Sequence, residues 1–230
     1  MKIGIIAAME QEAQTIIDNL KNFKKTTKAN QHFYEGNIGN VQVVLVQSGI
    51  GKVNATLATT LLIEVFDVEA VINTGSAGGI GKDLAVEDLV ISTELSYNDA
   101  DARAFGYTFG QIPQMPATYL SDPSLVKTFK EAALKKRWTI KEGMIVTGDS
   151  FISDKKKVSE IRERFEDVLV TEMEGAAVAQ TCYQFNIPFV VVRAVSDVSD
   201  EEASDSFDEF IEKVGKKSAE TVLEFISLVN

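Results

Sequence analysis

Apolar runs and polar breaks divide the chain into short strands and longer helices in alternation. Lys2–Ala8 is a continuous β-prone run, which suits a central strand covered on both faces. Gln11–Leu20 then reads as a helix. Gln31–Asn37 and Val41–Gln47 are short runs on either side of Gly39-Asn40, a pairing that predicts a hairpin. Ser48-Gly49-Ile50-Gly51 is a glycine-rich turn leading into Val53–Val65, a helix rich in Ala and Leu. Ala70–Thr74 reads as a buried strand, followed by the small residues Gly75–Gly79, and Leu89–Leu95 reads as another strand. Ala104–Thr118 holds Phe105, Tyr107, Phe109, Pro113 and Pro116 without periodicity, and reads as a loop.

Pro123 introduces a helix over Ser124–Lys135, where its missing N–H is no loss. Lys141–Thr147 is a strand ending at Gly148-Asp149-Ser150, and Lys155–Phe165 is helical. Val168–Glu172 is a short strand, Glu174–Phe185 an Ala-rich helix, and Phe189–Val195 the most β-branched run in the chain. Ser206–Leu228 closes it as an amphipathic helix. Neither a repeat nor a linker interrupts the series. It predicts an α/β fold: one domain over 1–230 with a central mixed sheet covered by helices.

Composition narrows the partners. Asp and Glu outnumber Lys and Arg 34 to 23, a net charge of -11, and such a surface repels nucleic acid and anionic membranes. With one cysteine, Cys182, no internal disulfide is possible. The apolar start is broken at once by acids and lacks the length of a signal peptide or a membrane span, so a cytoplasmic setting is expected. With His32 the only histidine, acid–base chemistry falls to carboxylates. One His and one Cys give no zinc set, and the acids lack calcium-loop spacing.

In open α/β sheets, ligands bind beyond the carboxyl ends of strands. Small or acidic residues sit there in Met9–Glu12, Gly75–Gly79, Gly148–Ile152, Glu172–Glu174 and Ser196-Asp197. Each has a plainer reading. Glu12 suits the first turn of a helix, where a carboxylate favours the dipole. Gly75–Gly79 could cradle an anion or simply turn tightly, and without a following Gly-Lys-Ser/Thr it is not a nucleotide-hydrolase phosphate loop. Alternation points Glu172 and Glu174 to one side, as catalytic acids or as solvated ones. Asp197 follows a long apolar strand, where burial raises a carboxyl pKa; the competing helix N-cap role fits Asp200 or Ser204 better. Phe151 and Phe207 are core side chains or base-stacking platforms. Arg193 is a cation within the last strand, structural or functional.

Taken together, the stretches IGIIAAMEQE (3–12), SGIGKVNA (48–55), INTGSAGG (72–79), YNDADARAFGYTFGQIP (97–113), GDSFI (148–152), TEMEGAAVA (171–179), PFVVVRAVSDVSD (188–200) and SFDEF (206–210) resemble the 5'-methylthioadenosine/S-adenosylhomocysteine nucleosidase family, almost end to end. The resemblance implies a three-layer α/β/α fold of the nucleoside phosphorylase type, and hydrolysis of an adenosine thioether without cofactor or metal. It implies that Glu12 activates water and that Asp197, with Ser196 beside it, protonates or hydrogen-bonds adenine N7. Glu174 would hold the ribose hydroxyls, with Met173 packed on the sugar. Phe151 would stack on adenine and the Ile152 backbone would read its edge. Ser76, Gly78 and Arg193 would line the pocket, and Met9, Ile50 and Phe207 would surround the 5'-alkylthio group. Phe105 and Pro113 would arrive from the second subunit of a homodimer. Two rivals stand beside this reading: a phosphate-dependent nucleoside phosphorylase, which needs a cationic pocket where this chain has Glu10 and Glu12, and a nucleoside-binding module without catalysis.

Overall fold

The computed structural model describes residues 1–198 and 203–229, apart from the side chains of Ser204 and Asp205. The two N-cap candidates, Asp200 and the Ser204 side chain, fall outside the described residues. In chain order the elements are β1 (Lys2–Ala7), α1 (Glu10–Asn19), β2 (Lys21–Lys28), β3 (Gln31–Ile38), β4 (Val41–Gln47), α2 (Lys52–Glu64), β5 (Ala70–Gly79) and β6 (Leu89–Tyr97). A 3-10 turn at Arg103–Phe105 precedes β7 (Tyr119–Leu120), α3 (Pro123–Lys135), β8 (Ile140–Thr147), α4 (Lys155–Arg164), β9 (Val168–Glu172), α5 (Gly175–Phe185), β10 (Phe189–Asp197) and α6 (Ala203–Leu228).

The strands form one mixed sheet whose centre is β5. Its first half lies between β1 and β10, both parallel to it, while Gly78 and Gly79 turn to pair antiparallel with β9. Since β9, β8, β6 and β10 follow one another in the sheet, this side curls closed on itself. On the other side, β1 leads through β4 and β3 to the edge strand β2.

Alternation along the central strands builds two cores. Ile3, Ile5, Val43, Leu45, Ile72, Val190 and Val192 face α1, α3 and α6, where Phe129 stacks on Phe225 at 4.2 Å. Ile6, Val44, Val46, Val71 and Val191 face α2 and α5. Helices on both faces explain why these strands read as unbroken apolar runs. The loop before α3 ends in Asp122, whose side chain accepts from the Ser124 and Leu125 N–H groups, with Pro123 at the first helical position. Among the described residues, no helix is long and apolar enough to cross a membrane.

Three elements depart from the sequence reading. Gly75–Gly79 is neither a turn nor an anion cradle but the second half of β5. Its glycines permit close packing: a Cβ on Gly75 would lie 2.6 Å from both Glu12 Oε1 and Arg193 Nη1. Strand β2 has no apolar alternation to betray it, because its residues are exposed on both faces apart from Thr26 and it is held by its ladder to β3. Strand β7 is two residues long and too short to carry a pattern.

Candidate active site

The carboxyl ends of β1, β5, β9 and β10 open onto one cavity of about 410 Å³. Glu12 enters it from the first turn of α1. Its Oε2 accepts the backbone N–H groups of Ala8 and Met9, each at 3.1 Å, so it does serve its own helix end. Its Oε1 reaches across to β5, accepting from the Ser76 N–H at 2.9 Å and the Ser76 hydroxyl at 3.0 Å. A carboxylate tied at both oxygens has little rotational freedom, and Glu12 is 2% exposed.

The β9–α5 junction supplies Thr171, Glu172, Met173 and Glu174 to the same wall. Glu172 ends the strand and accepts the backbone N–H groups of Glu174 and Gly175, at 3.0 and 2.8 Å, where the positive end of the α5 dipole favours an anion. It also accepts from the Thr147 hydroxyl and from Arg193 Nη2. Glu174 is the N-cap of α5, and its Oε1 accepts the Gly51 N–H at 2.8 Å. Gly51 has φ +99°, a left-handed value that favours glycine, and this lets the loop before α2 aim its amide at the carboxylate. Both glutamates are buried, which removes the solvated reading.

Strand β10 contributes Arg193, Ser196 and Asp197, each 1% exposed. Arg193 Nη2 meets Asn73 Oδ1 at 2.6 Å, Glu172, and Glu174 Oε2 at 3.4 Å. Burial works against the guanidinium charge, but Glu172, Glu174 and Glu12 outweigh it and raise its pKa. For Glu174 the balance runs the other way. Burial pushes its pKa up to about 7, helped by Glu172 and Glu12, against the pull of Arg193 and the Gly51 amide.

Ser196 and Asp197 both line the cavity, which strict strand alternation forbids. The register against β5 shifts between Val195, opposite Ala77, and Asp197, opposite Gly78, leaving Ser196 as the extra residue. Such bulges re-aim side chains, often beside active sites. The Ser196 hydroxyl lies 2.8 Å from Asp197 Oδ2. Along β5, Ser76 and Gly78 are two residues apart, so the anchors of Glu12 and Asp197 are separated by roughly 7 Å.

Met9, Ile50, Phe151 and Phe207 form the rim, joined by Ala8, Ala77, Gly78 and Asp208. Phe151 and Phe207 meet edge to face at 5.8 Å, so they pack on each other and also line the cavity. The Ile152 side chain turns away into an apolar cluster with Val158, Ile161 and Phe165, leaving only its backbone beside Phe151. Phe105 is 82% exposed and Pro113 is exposed; neither lines this chain's cavity. A larger groove of about 1300 Å³ between β7, α3 and the start of β10 lacks this convergence of buried acids. Among the described residues, no group of three or more His, Cys, Asp and Glu is placed to hold a metal.

The sequence pattern placed Glu172 beside Glu174 as a catalytic or solvated acid without giving it a role, and it missed Asn73, Thr147 and Gly51 as members of the site. Asn73 carried a signal, being a polar side chain inside the apolar run Ala70–Thr74. Gly51 and Thr147 gave none beyond their places in a turn and at a strand end.

The whole architecture matches known proteins. The model of the phosphorylase superfamily matches residues 2–227. A 5'-methylthioadenosine/S-adenosylhomocysteine nucleosidase of an Exiguobacterium strain is 51% identical, covering 97% of this chain and 96% of its own. The Staphylococcus saprophyticus protein of that name is 46% identical over 99% of this chain and all of its own length. The Neisseria meningitidis nucleosidase, solved with methylthio-immucillin-A, superposes with a TM-score of 0.97 at 45% identity and 99% coverage of both chains. The chain belongs to the 5'-methylthioadenosine/S-adenosylhomocysteine nucleosidase family, within the phosphorylase superfamily.

Proposed function

We propose that this chain hydrolyses the N-glycosidic bond of 5'-methylthioadenosine and S-adenosylhomocysteine, releasing adenine and the thioribose. The observation that carries the reading is the convergence of Glu12, Glu174 and Asp197, all buried, on one cavity with an apolar rim. Asp197 donates a proton to adenine N7 as the C1'–N9 bond breaks and its electrons pass to the base. Glu174 accepts the ribose hydroxyls and stabilises the positive charge that develops on the sugar. Glu12 takes a proton from the water whose oxygen bonds to C1'. Asp197 regains its proton and Glu12 loses one to solvent, so the cycle closes. Ser76 orients Glu12, Ser196 orients Asp197, Met173 and Gly78 shape the wall around the sugar, and Arg193 fixes the glutamates. Phe151 and the Ile152 backbone take the base, and Met9, Ile50 and Phe207 take the 5'-thio group.

The nucleophile in this reading is water. Among the described residues lining the cavity, Arg193 is the one cation, and Glu172 and Asn73 already engage it. A phosphate would need a cationic pocket of its own. Incubation with methylthioadenosine in phosphate-free buffer should release adenine. 5-Methylthioribose 1-phosphate forming in proportion to added phosphate would overturn the water step, and tight binding without turnover would make the protein a binding module.

The same reading includes a homodimer and a cytoplasmic setting, the latter supported by the lone, buried Cys182 thiol. Val53 and Leu57 stand exposed one turn apart on α2, with Tyr183 and Phe185 on the adjacent α5 and Phe105 on the aromatic loop. An exposed apolar surface of that kind supports an interface through which Phe105 and Pro113 complete the neighbouring cavity. Sedimentation should give twice the chain mass; a fully active monomer would remove both residues from the site.

A further inference from the structure

We infer that Glu172 is a positioning residue of this reaction: it engages Arg193 and fixes the start of α5, and so sets both the place and the charge of Glu174. The inference rests on the proposed role of Glu174 toward the ribose. Arg193 Nη2 carries two hydrogens, and three acceptors surround it: Asn73 Oδ1 at 2.6 Å, Glu172 Oε2, and Glu174 Oε2 at the longer 3.4 Å. With Asn73 and Glu172 in place, Glu174 is the acceptor left without a full bond.

The three glutamates on this cation are not equally provided for. Glu12 accepts from Ala8, Met9 and both donors of Ser76. Glu172 accepts from two backbone amides, the Thr147 hydroxyl and Arg193. Glu174 accepts from the Gly51 amide and, at the longer distance, from Arg193. That poverty leaves it acceptor capacity for two ribose hydroxyls. It also leaves it as the carboxyl that burial pushes up to about 7. The charged groups acting on it are Arg193 from β10, Glu172 from β9 and Glu12 from α1, with the Gly51 amide from the start of α2. Of these, Glu172 is the like charge that also holds the shared cation.

Thr147 completes the device. Its hydroxyl donates to Glu172 and accepts the Ala176 N–H at 2.7 Å. Strand β8, Glu172 and the first turn of α5 are thereby locked together, and Glu174 sits at the head of that turn.

The test is the pH profile of kcat/KM for methylthioadenosine, whose acid limb reports the free enzyme. Glu172→Gln removes a like charge and loosens the hold on Arg193, so Glu174 ionises more readily. The acid limb should move down by about one pH unit. The variant-to-native ratio of kcat/KM should then rise roughly five- to tenfold from about pH 8.5 to about pH 5.5. A residue that merely capped α5 would lower kcat/KM by one factor at every pH, and a flat ratio overturns the inference. Asn73→Ala frees the other Nη2 hydrogen without touching α5. Its acid limb should also move down, by less, and it decides the matter should Glu172→Gln fail to fold; an unmoved limb there overturns the shared-hydrogen argument. A native enzyme that releases no adenine would sink the proposed function and this inference together, whereas a flat ratio beside an active native enzyme sinks this inference alone.

Discussion

At the β2 edge of the sheet, Lys21, Lys24, Lys25 and Lys28 stand exposed on a strand paired on one side. At the seam of β5 with β9 and β10, Glu12, Glu172, Glu174, Arg193 and Asp197 are each 6% exposed or less. The edge charges face water, where they are cheap to place and keep the strand from pairing with another chain. The seam charges are out of water, where each must be matched by a donor or a partner. Glu172 and Glu12 are held by hydrogen-bond donors on both oxygens, and Arg193 is ringed by acceptors. The contrast teaches that position relative to water, rather than the number of charges, marks the working part of this molecule. Substitutions should therefore act very unequally in the two regions.

The largest effect is expected at Asp197. Asp197→Asn keeps the shape and can donate a hydrogen bond to adenine but cannot transfer a proton. A general acid contributes about 10²–10⁴ in rate, so kcat for methylthioadenosine should fall by at least about 10² in a folded protein that still binds a non-hydrolysable adenosine thioether. A nucleoside whose base leaves readily without protonation should rescue this variant and not Glu12→Gln. Near-native turnover by folded Asp197→Asn would end the assignment.

Glu174→Gln comes next. A carboxylate accepting hydroxyl donors makes charge-assisted bonds worth roughly 1.5–3 kcal/mol each, so losing even one lowers kcat/KM about tenfold or more. The loss should be smaller for a 2'-deoxy substrate, which lacks one of the two hydroxyls. Equal losses on both substrates would show that Glu174 does not hold the sugar.

The same residue gives a smaller effect on stability. An ordinary glutamate ionises near 4.5, while burial keeps the Glu174 proton on in the folded chain until about pH 7. Between those values the folded state binds more protons than the unfolded one. Its contribution to stability is then full below the lower value and declines as pH rises through the window. Glu174→Gln lacks this titration. The native-minus-variant difference in Tm, read without substrate, should decrease from about pH 5 to about pH 8. A constant difference would mean that Glu174 is ionised throughout.

These residues also show how far the sequence could be read. Unbroken apolar runs exposed β1, β4, β5 and β10, because both of their faces are covered by helices. They said nothing of β2, whose residues need only a ladder partner. Glu12, Glu174 and Asp197 could be placed at strand ends from local pattern, and the resemblance gave them roles. The bulge at Ser196 and the crowding at Gly75 could not be read, since both are set by distant strands. Glu172 shows the limit most clearly. Its neighbours in sequence leave it either a catalytic or a solvated acid, and its meaning comes from Thr147, Arg193 and Asn73, each on another strand.

The smallest effect is expected at the edge, and it tests the comparison from its quiet side. Lys25 holds its ammonium 5.1 Å from the Tyr34 ring centre. An exposed cation–π contact of that kind is worth about 0.5–1 kcal/mol. Lys24 lies opposite Glu35, whose carboxylate is already engaged by Lys2 at 2.7 Å. Lys24→Ala should therefore leave stability within about 0.5 kcal/mol, as exposed substitutions generally do. Lys25→Ala should lower Tm slightly more, through the lost ring contact. Neither should alter kcat/KM for methylthioadenosine or its pH profile, because β2 is separated from β5 by β3, β4 and β1. The double variant should associate more readily at high concentration, since its edge has lost two of the charges that discourage strand pairing. Light scattering and the adenine-release assay, run on the same sample, separate the two readouts. A severalfold fall in kcat/KM in the monodisperse double variant would show that the edge and the cavity are coupled, and the division between cheap and working charge would not hold.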